Sequence, residues 1–333
     1  MHINQLAQLS QVLSEIETRY NLVECENLPN AEFNIDDDSD PVNIKEYQSF
    51  VGTLLWFSRM SRPDIYFLVA KAATVSQKPK QNHKNILLAT FGYLKSTRTL
   101  DMKYTKSLDN KMHLTVYSDA SYGEESGHNT TGWLTFINGT ALNWKSKKQA
   151  TVAISATESE TIAAYDAGLE AFFTLKLLDD FDNRQTRISH FIDNQSAIHN
   201  FNQDNVGRVK KVMYTKYNKM REFVKRNILF PMYINTADNP ADFFTKSNKQ
   251  VQNISHIGYN SLQIKFRDTM KWITGYKYSP EKFNDLVNSS NEKLISSSNN
   301  INSIEDLLIQ RELDKQQNMN PYNGDLMVDS VDV

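Results

Sequence analysis

After Asp109-Asn110 the hydrophobic spacing of this chain turns from a helical period toward two, which separates an all-helical section from one that also contains sheet. Upstream, Leu6, Leu9, Val12, Leu13 and Ile16 recur near the 3.6-residue period, which predicts a helix from Ile3 to about Tyr20. A second helix is expected over Ile44 to Phe57. A third should begin at Pro63, whose fixed φ suits a first helical turn, and carry Ile65, Phe67, Leu68 and Ala72. Ile86, Leu87, Leu88, Phe91 and Leu94 mark a fourth before Ser96. The acidic run Asp36-Asp37-Asp38-Ser39-Asp40-Pro41 reads as a solvated break, because its charges repel and a proline follows.

Downstream the period moves toward two. Strands are expected at His113 to Tyr117, Gly132 to Ile137 and Ala141 to Trp144, with Asn138-Gly139 as a hairpin turn because both residues tolerate positive φ. A long helix from about Ala156 to Leu178 follows. A fourth strand at Ile188 to Ile192, a short helix near Ser196, a basic helix from Val209 to Lys225 and a fifth strand near Phe230 to Ile234 complete an α/β unit. Beyond Lys249 this organisation is lost. Ser289 to Asn302 is polar and low in complexity, and an acidic tail follows Pro321.

Composition narrows the function classes. A hydrophobic fraction of 40% with 23% charged residues supports a soluble core, and no apolar run approaches the roughly 18 residues of a membrane helix. The start Met-His-Ile-Asn-Gln lacks the features of a secretory signal, and the lone Cys25 has no partner for an internal disulfide. A net charge of −2 gives no global nucleic-acid signature, and the distribution says more than the sum. Arg208, Lys210, Lys211, Lys216, Lys219, Arg221, Lys225 and Arg226 crowd one segment opposed only by Glu222, and Lys145, Lys147 and Lys148 form a second cluster. The Val209 to Lys225 segment could neutralise backbone phosphates, or simply be a solvated helix face.

Four acids occupy distinctive surroundings. Asp119 stands just past the first strand in Tyr117-Ser118-Asp119-Ala120-Ser121, Glu160 in the first turns of the long helix, Asp193 at the end of the fourth strand, and Asp242 in Asn239-Pro240-Ala241-Asp242. If strand order brings these ends together, the four carboxylates could hold two divalent ions about 4 Å apart, one activating a water and the other stabilising a departing 3′ oxygen. An all-oxygen set suits Mg²⁺, with Mn²⁺ as an alternative, and no compact Cys/His cluster suggests zinc. Glu158 and Glu160 lie about 200° apart on a helix, so both cannot face one cluster. Glu160 shares its face with Ala163, Ala164, Ala167 and Ala171, whose small side chains permit close approach to a sheet; Glu158 points with Ile162, Tyr165 and Leu169. Glu160 is therefore the chosen member, although Glu158 could still reach the cluster from the helix end.

Taken in order, Tyr47-Gln48-Ser49-Phe50-Val51-Gly52, Leu54-Leu55, Arg62-Pro63-Asp64-Ile65, Trp144-Lys145-Ser146-Lys147-Lys148-Gln149, Thr157-Glu158-Ser159-Glu160, Asp193-Asn194-Gln195-Ser196-Ala197 and Ala241-Asp242-Phe243-Phe244-Thr245-Lys246 resemble the C-terminal part of a copia-type LTR-retrotransposon Pol polyprotein. The resemblance runs from about Tyr47 to Lys246, the end of reverse transcriptase and its ribonuclease H. It implies a ribonuclease H-like mixed five-stranded sheet with flanking helices, preceded by a mostly helical partial reverse-transcriptase segment. It divides the chain into an N-terminal helix and acidic linker (1–43), a reverse-transcriptase connection region (44–108), a ribonuclease H-like domain (109–249) and a divergent extension (250–333).

The same resemblance implies cleavage of the RNA strand of RNA/DNA hybrids with Mg²⁺, the metal ligands being Asp119, Glu160, Asp193 and Asp242. Lys145, Lys147, Lys148, Lys211, Lys216, Lys219 and Arg221 become candidates for the nucleic-acid backbone, and Asn129, Thr130 and Thr131 weaker candidates for contacts near the first acid. Implied partners are the hybrid and other Pol or particle components, with no membrane. The implied location is cytoplasm or nucleus, or a virus-like particle for an active element. The polymerase aspartate pair is absent, so DNA synthesis by this chain alone is not expected. Histidine is missing from Val206 to Asn239, where many relatives carry it. The competing expectation is a weak or inactive truncated protein with a nucleic-acid-binding or interaction role.

Overall fold

Four helices come first: α1 (His2–Tyr20), α2 (Ile44–Met60), α3 (Tyr66–Thr74) and α4 (Gln81–Ser96). A computed structural model describes residues 2–100, 102, 104, 112–122, 129–180, 188–203 and 211–246, side chains excepted at 2–6 and 237. Arg208 and Lys210 of the basic run, the polar 289–302 stretch, the acidic tail and the rest of the 250–333 extension lie outside the described residues. Asn43 caps α2 by accepting from the Glu46 N–H, and Pro63 opens a short 3-10 turn, Pro63–Ile65, that leads into α3. Leu9, Leu13, Tyr47, Leu54, Leu68, Leu87 and Phe91 meet in one apolar cluster among the four helices. The acidic run before α2 docks on the start of α4: the Ser39 hydroxyl accepts from the Asn82 N–H, and the Asp37 carboxylate accepts from the Asn82 side chain.

The sheet contains β1 (Leu114–Ala120), β2 (Thr130–Ile137), β3 (Thr140–Lys148), β4 (Ile188–Ile192) and β5 (Leu229–Tyr233), in spatial order β3-β2-β1-β4-β5. The first three are antiparallel, and β4 and β5 run parallel to β1 and to each other. This is a mixed five-stranded sheet with flanking helices, the architecture that the resemblance implies. Asn138 (φ 48°) and Gly139 (φ 78°) close the β2–β3 hairpin in the left-handed region.

The first strand departs from expectation in two ways. Its burial does not alternate, because β1 lies at the centre of the sheet with both faces covered. It also runs three residues past Tyr117, since β2 continues to pair through Ser118↔Trp133, Asp119↔Gly132 and Ala120↔Thr131. Asp119 is therefore inside the strand and not beyond it.

Helix α5 (Ala156–Asp180) covers one face, where Ala167, Ala171 and Leu175 pack on Leu114, Val116, Trp133 and Ile188. Ala163, Ala164, Ala167 and Ala171 are fully buried, so the small residues admit the close helix-to-sheet approach. Helices α6 (Gln195–Asn202) and α7 (Lys211–Lys225) pack beyond α5 through Phe201, Tyr217, Met220 and Phe223. The other face is closed by the helical section and by a 3-10 turn, Pro240–Phe244. Tyr66 of α3 and Phe244 join Tyr117, Phe136, Trp144 and Phe191, and the Trp144 indole donates to the Ser58 carbonyl at 2.8 Å.

Candidate metal centre

Central pairing holds Asp119 rigidly, and β4 ends one residue before Asp193 in the adjacent parallel strand. Asp242 comes from the Pro240–Phe244 turn, whose cap Asn239 accepts from the Ala241 N–H and donates to the Ser118 carbonyl. These three connections converge. One oxygen from each of Asp119, Asp193 and Asp242 lies within 4.8 Å of the others.

Glu160 approaches from the start of α5. Its Oε1 accepts from the Ala120 N–H at 3.1 Å, while Oε2 is buried with no hydrogen-bond partner. Glu158 serves differently: its N–H donates to the Ser155 hydroxyl and its carboxylate accepts from the Ile154 N–H, a reciprocal cap of α5. The turn carrying Glu160 is braced from behind. Gln149 donates to the Thr131 hydroxyl and to the Ser159 carbonyl, and Asn129 donates to the Ser159 hydroxyl. Asn129, Thr130 and Thr131, weaker candidates for contacts near the first acid, are buried, and Thr131 pairs with Ala120 beside Asp119.

Electrostatics follows from this crowding. Asp119, 1% exposed, is raised to about 7, by burial first and then by Asp242. Burial, followed by the charges of Asp119 and Asp193, raises Glu160 well above the usual carboxylate range. Asp193 is raised by burial and then by Asp119. Asp242 is also raised by burial, against the opposing pull of Lys246. Buried like charges at this spacing are costly without a cation. A hard divalent ion fits the donor set, which is wholly carboxylate and leaves Glu160 Oε2 unsatisfied.

Gly132 is a residue the sequence reading passed over. It sits directly opposite Asp119, and an added Cβ would lie 2.6 Å from Thr245 Cγ2, 2.7 Å from Phe244 Cβ and 3.0 Å from the Ala241 carbonyl. The missing side chain is what lets the turn carrying Asp242 close on β1. Gly132→Ala should therefore push that turn outward and weaken binding of a divalent ion titrated by calorimetry, while circular dichroism stays native; unchanged affinity would show that the turn yields.

The expected nucleic-acid contacts separate into distinct environments. Lys145 and Lys147 oppose Trp133 and Thr131, so they share the α5 face of the sheet, and Lys147 pairs with Asp166 at 2.7 Å. Lys148 shares a face with Ser146 and Gly132, and hence with Asp119. Lys211 is exposed, Lys216 lies 4.0 Å from the Tyr165 ring centroid, and Lys219 pairs with Glu222. Arg221 corrects the expectation. It is 5% exposed and donates to the Asn200 carbonyl and to Asn218, so it ties α6 to α7 and does not present its charge to a ligand.

No family model matches the chain. A Pol polyprotein from a tobacco (Nicotiana tabacum) transposon is 30% identical over 200 residues, 60% of this chain, and the chain spans 15% of that polyprotein's length. A secreted RxLR effector protein of Plasmopara viticola is 36% identical over 127 residues, covering 38% of this chain and 88% of the effector. Pol polyproteins of Arabidopsis and yeast transposons match the same kind of stretch. Among solved structures, an N-terminal ribonuclease H domain from Mycobacterium tuberculosis aligns with 44% of this chain and all of its own length, at 11% identity and a TM-score of 0.33. Together with the order of the motifs, the polyprotein matches show that the chain corresponds to a part of copia-type LTR-retrotransposon Pol polyproteins.

Proposed function

We propose that this protein is a metal-dependent endonuclease that cleaves the RNA strand of RNA/DNA hybrids. The observation that carries the reading is the convergence of Asp119, Asp193 and Asp242 within 4.8 Å, with the unsatisfied Glu160 Oε2 arriving from α5. Divalent ions held by these four residues would supply an activated water and neutralise charge on the scissile phosphate. The chain's own contribution is placement. Strand pairing fixes Asp119, Asn239 anchors the Asp242 turn to the Ser118 carbonyl, and the Gln149–Ser159–Asn129 bracing aims Glu160.

The exposed Lys145, Lys148 and Lys211 are the side chains proposed to meet backbone phosphates, and recognition would read duplex shape and 2′-hydroxyls. Mg²⁺ is the proposed ion, with Mn²⁺ able to replace it. We further place the activity beside other Pol or particle components, in the cytoplasm, nucleus or a virus-like particle; no described helix is long and apolar enough to cross a membrane.

The test is a hybrid with separately labelled strands, incubated with purified protein. Cleavage of the RNA strand alone, present with Mg²⁺ or Mn²⁺ and lost on chelation, is the expected result. Salt-sensitive hybrid binding by a folded sample that never cuts would replace this reading with that of an inactive binding protein.

A further inference from the structure

We propose that Lys246 is a built-in counter-cation of the acidic cluster, seated on carboxylate oxygens that a divalent ion needs, and that metal loading must displace it. The proposal rests on the metal-dependent reading above. The Lys246 ammonium lies 2.8 Å from Asp242 Oδ1 and 3.8 Å from Asp119 Oδ2, and its side chain is only 18% exposed. Its backbone N–H donates to the Asp242 carbonyl at 3.0 Å, which sets the side chain over the cluster. The adjacent Thr245 hydroxyl donates to Asp119 Oδ2, so one short turn supplies both the cation and a neutral donor to the same carboxylates.

An ion pair on a solvated surface would have little consequence, since exposed pairs contribute little. This one is different because Asp119 is almost fully buried and Asp193 adds a third negative group beside it. The ammonium offsets repulsion that would otherwise spread the three acids. Two cations at contact distance from the same carboxylates repel each other strongly, so the ammonium and a divalent ion compete for the site. Lys246 therefore keeps the cluster assembled before metal arrives, at the expense of metal affinity. A lysine that only secured Asp242 would act in the opposite sense, because removing it would loosen the ligand and weaken binding.

Calorimetric titration of Mg²⁺ and Mn²⁺ into wild type, Lys246→Gln and Lys246→Arg, without nucleic acid, separates these roles. The expected result is binding to Lys246→Gln roughly tenfold tighter than to wild type, the scale set by removing one close charge from a partly buried site, with Lys246→Arg near wild type. Metal-free Lys246→Gln should melt at a lower temperature than wild type and gain more from added metal. Unchanged or weaker binding by Lys246→Gln overturns the proposal while leaving the metal reading standing. No binding by any of the three proteins overturns both.

A second measurement needs no variant. Amine-directed acetylation of wild type, mapped by mass spectrometry, should modify Lys246 severalfold faster when Mg²⁺ is present, because the displaced ammonium moves toward solvent. Equal modification with and without metal also overturns the proposal, and would stand even if Lys246→Gln failed to fold.

Discussion

Asp119→Asn is expected to abolish metal-dependent hybrid cleavage without unfolding the protein. The amide keeps the shape of the side chain and its place in β1 but removes the central charge of the cluster, the one that adds to burial in raising both Glu160 and Asp193. Metal-borne charge stabilisation is worth several kcal/mol at a transition state, so a loss on the order of 10³-fold in kcat is expected. Stability should move the other way in metal-free protein. A buried carboxyl raised to about 7 when folded, against an ordinary value of 3.8, opposes folding at pH values above its folded pKa. That opposition fades as pH falls toward the unfolded value. The uncharged amide of the variant lacks it at every pH. Metal-free melting of the variant at pH 8 should therefore match or exceed wild type, with the difference shrinking toward pH 5. Retained cleavage by the folded variant would remove Asp119 from the reaction, and a lower melting temperature at pH 8 would show that its charge is already well compensated.

How far the cluster could be read in advance depended on which interactions were local. Glu160 was favoured over Glu158 by helical geometry, because 3.6-residue periodicity places it with the alanines that face the sheet. Asp193 followed from a strand ending before a turn. The hairpin at Asn138-Gly139 was legible for a similar reason: the backbone requirement of the turn is written in two adjacent residues. Non-local demands left no comparable trace. Gly132 resembles any strand glycine until β1 pairing and the Asp242 turn are known, and both partners are distant in sequence. Arg221 sits in a run of basic residues that looks uniformly solvated, yet α7 rotates it onto the end of α6. The burial of β1 also depended on its central position, which strand order decides and local alternation does not.

The largest expected loss of stability comes from Arg62, far from the acids. Its guanidinium pairs with Asp64 through two nitrogens, at 3.0 and 2.6 Å, and also donates to the Thr97 carbonyl and hydroxyl. Tyr93 donates a further hydrogen bond to Asp64 at 2.9 Å. Side-chain exposures of 4% and 0% place the pair in the interior, where removing one partner strands the other charge. Arg62→Met should accordingly cost about 3–5 kcal/mol in chemical denaturation. Replacing both partners, as Arg62→Met with Asp64→Leu, should recover most of that loss, because no charge is then left buried alone. Single and double variants that differ by less than about 1 kcal/mol would show the pair to be solvated. The consequence should reach the sheet, since Tyr66 follows directly from the Arg62-Pro63-Asp64 turn and packs against Phe244 two residues after Asp242, with ring centroids 6.4 Å apart. Loosening Arg62 should thus weaken Mg²⁺ binding as well as folding, and titration of the destabilised variant below its melting temperature measures that coupling: unchanged affinity would show that the helical section braces the sheet without shaping the acidic cluster.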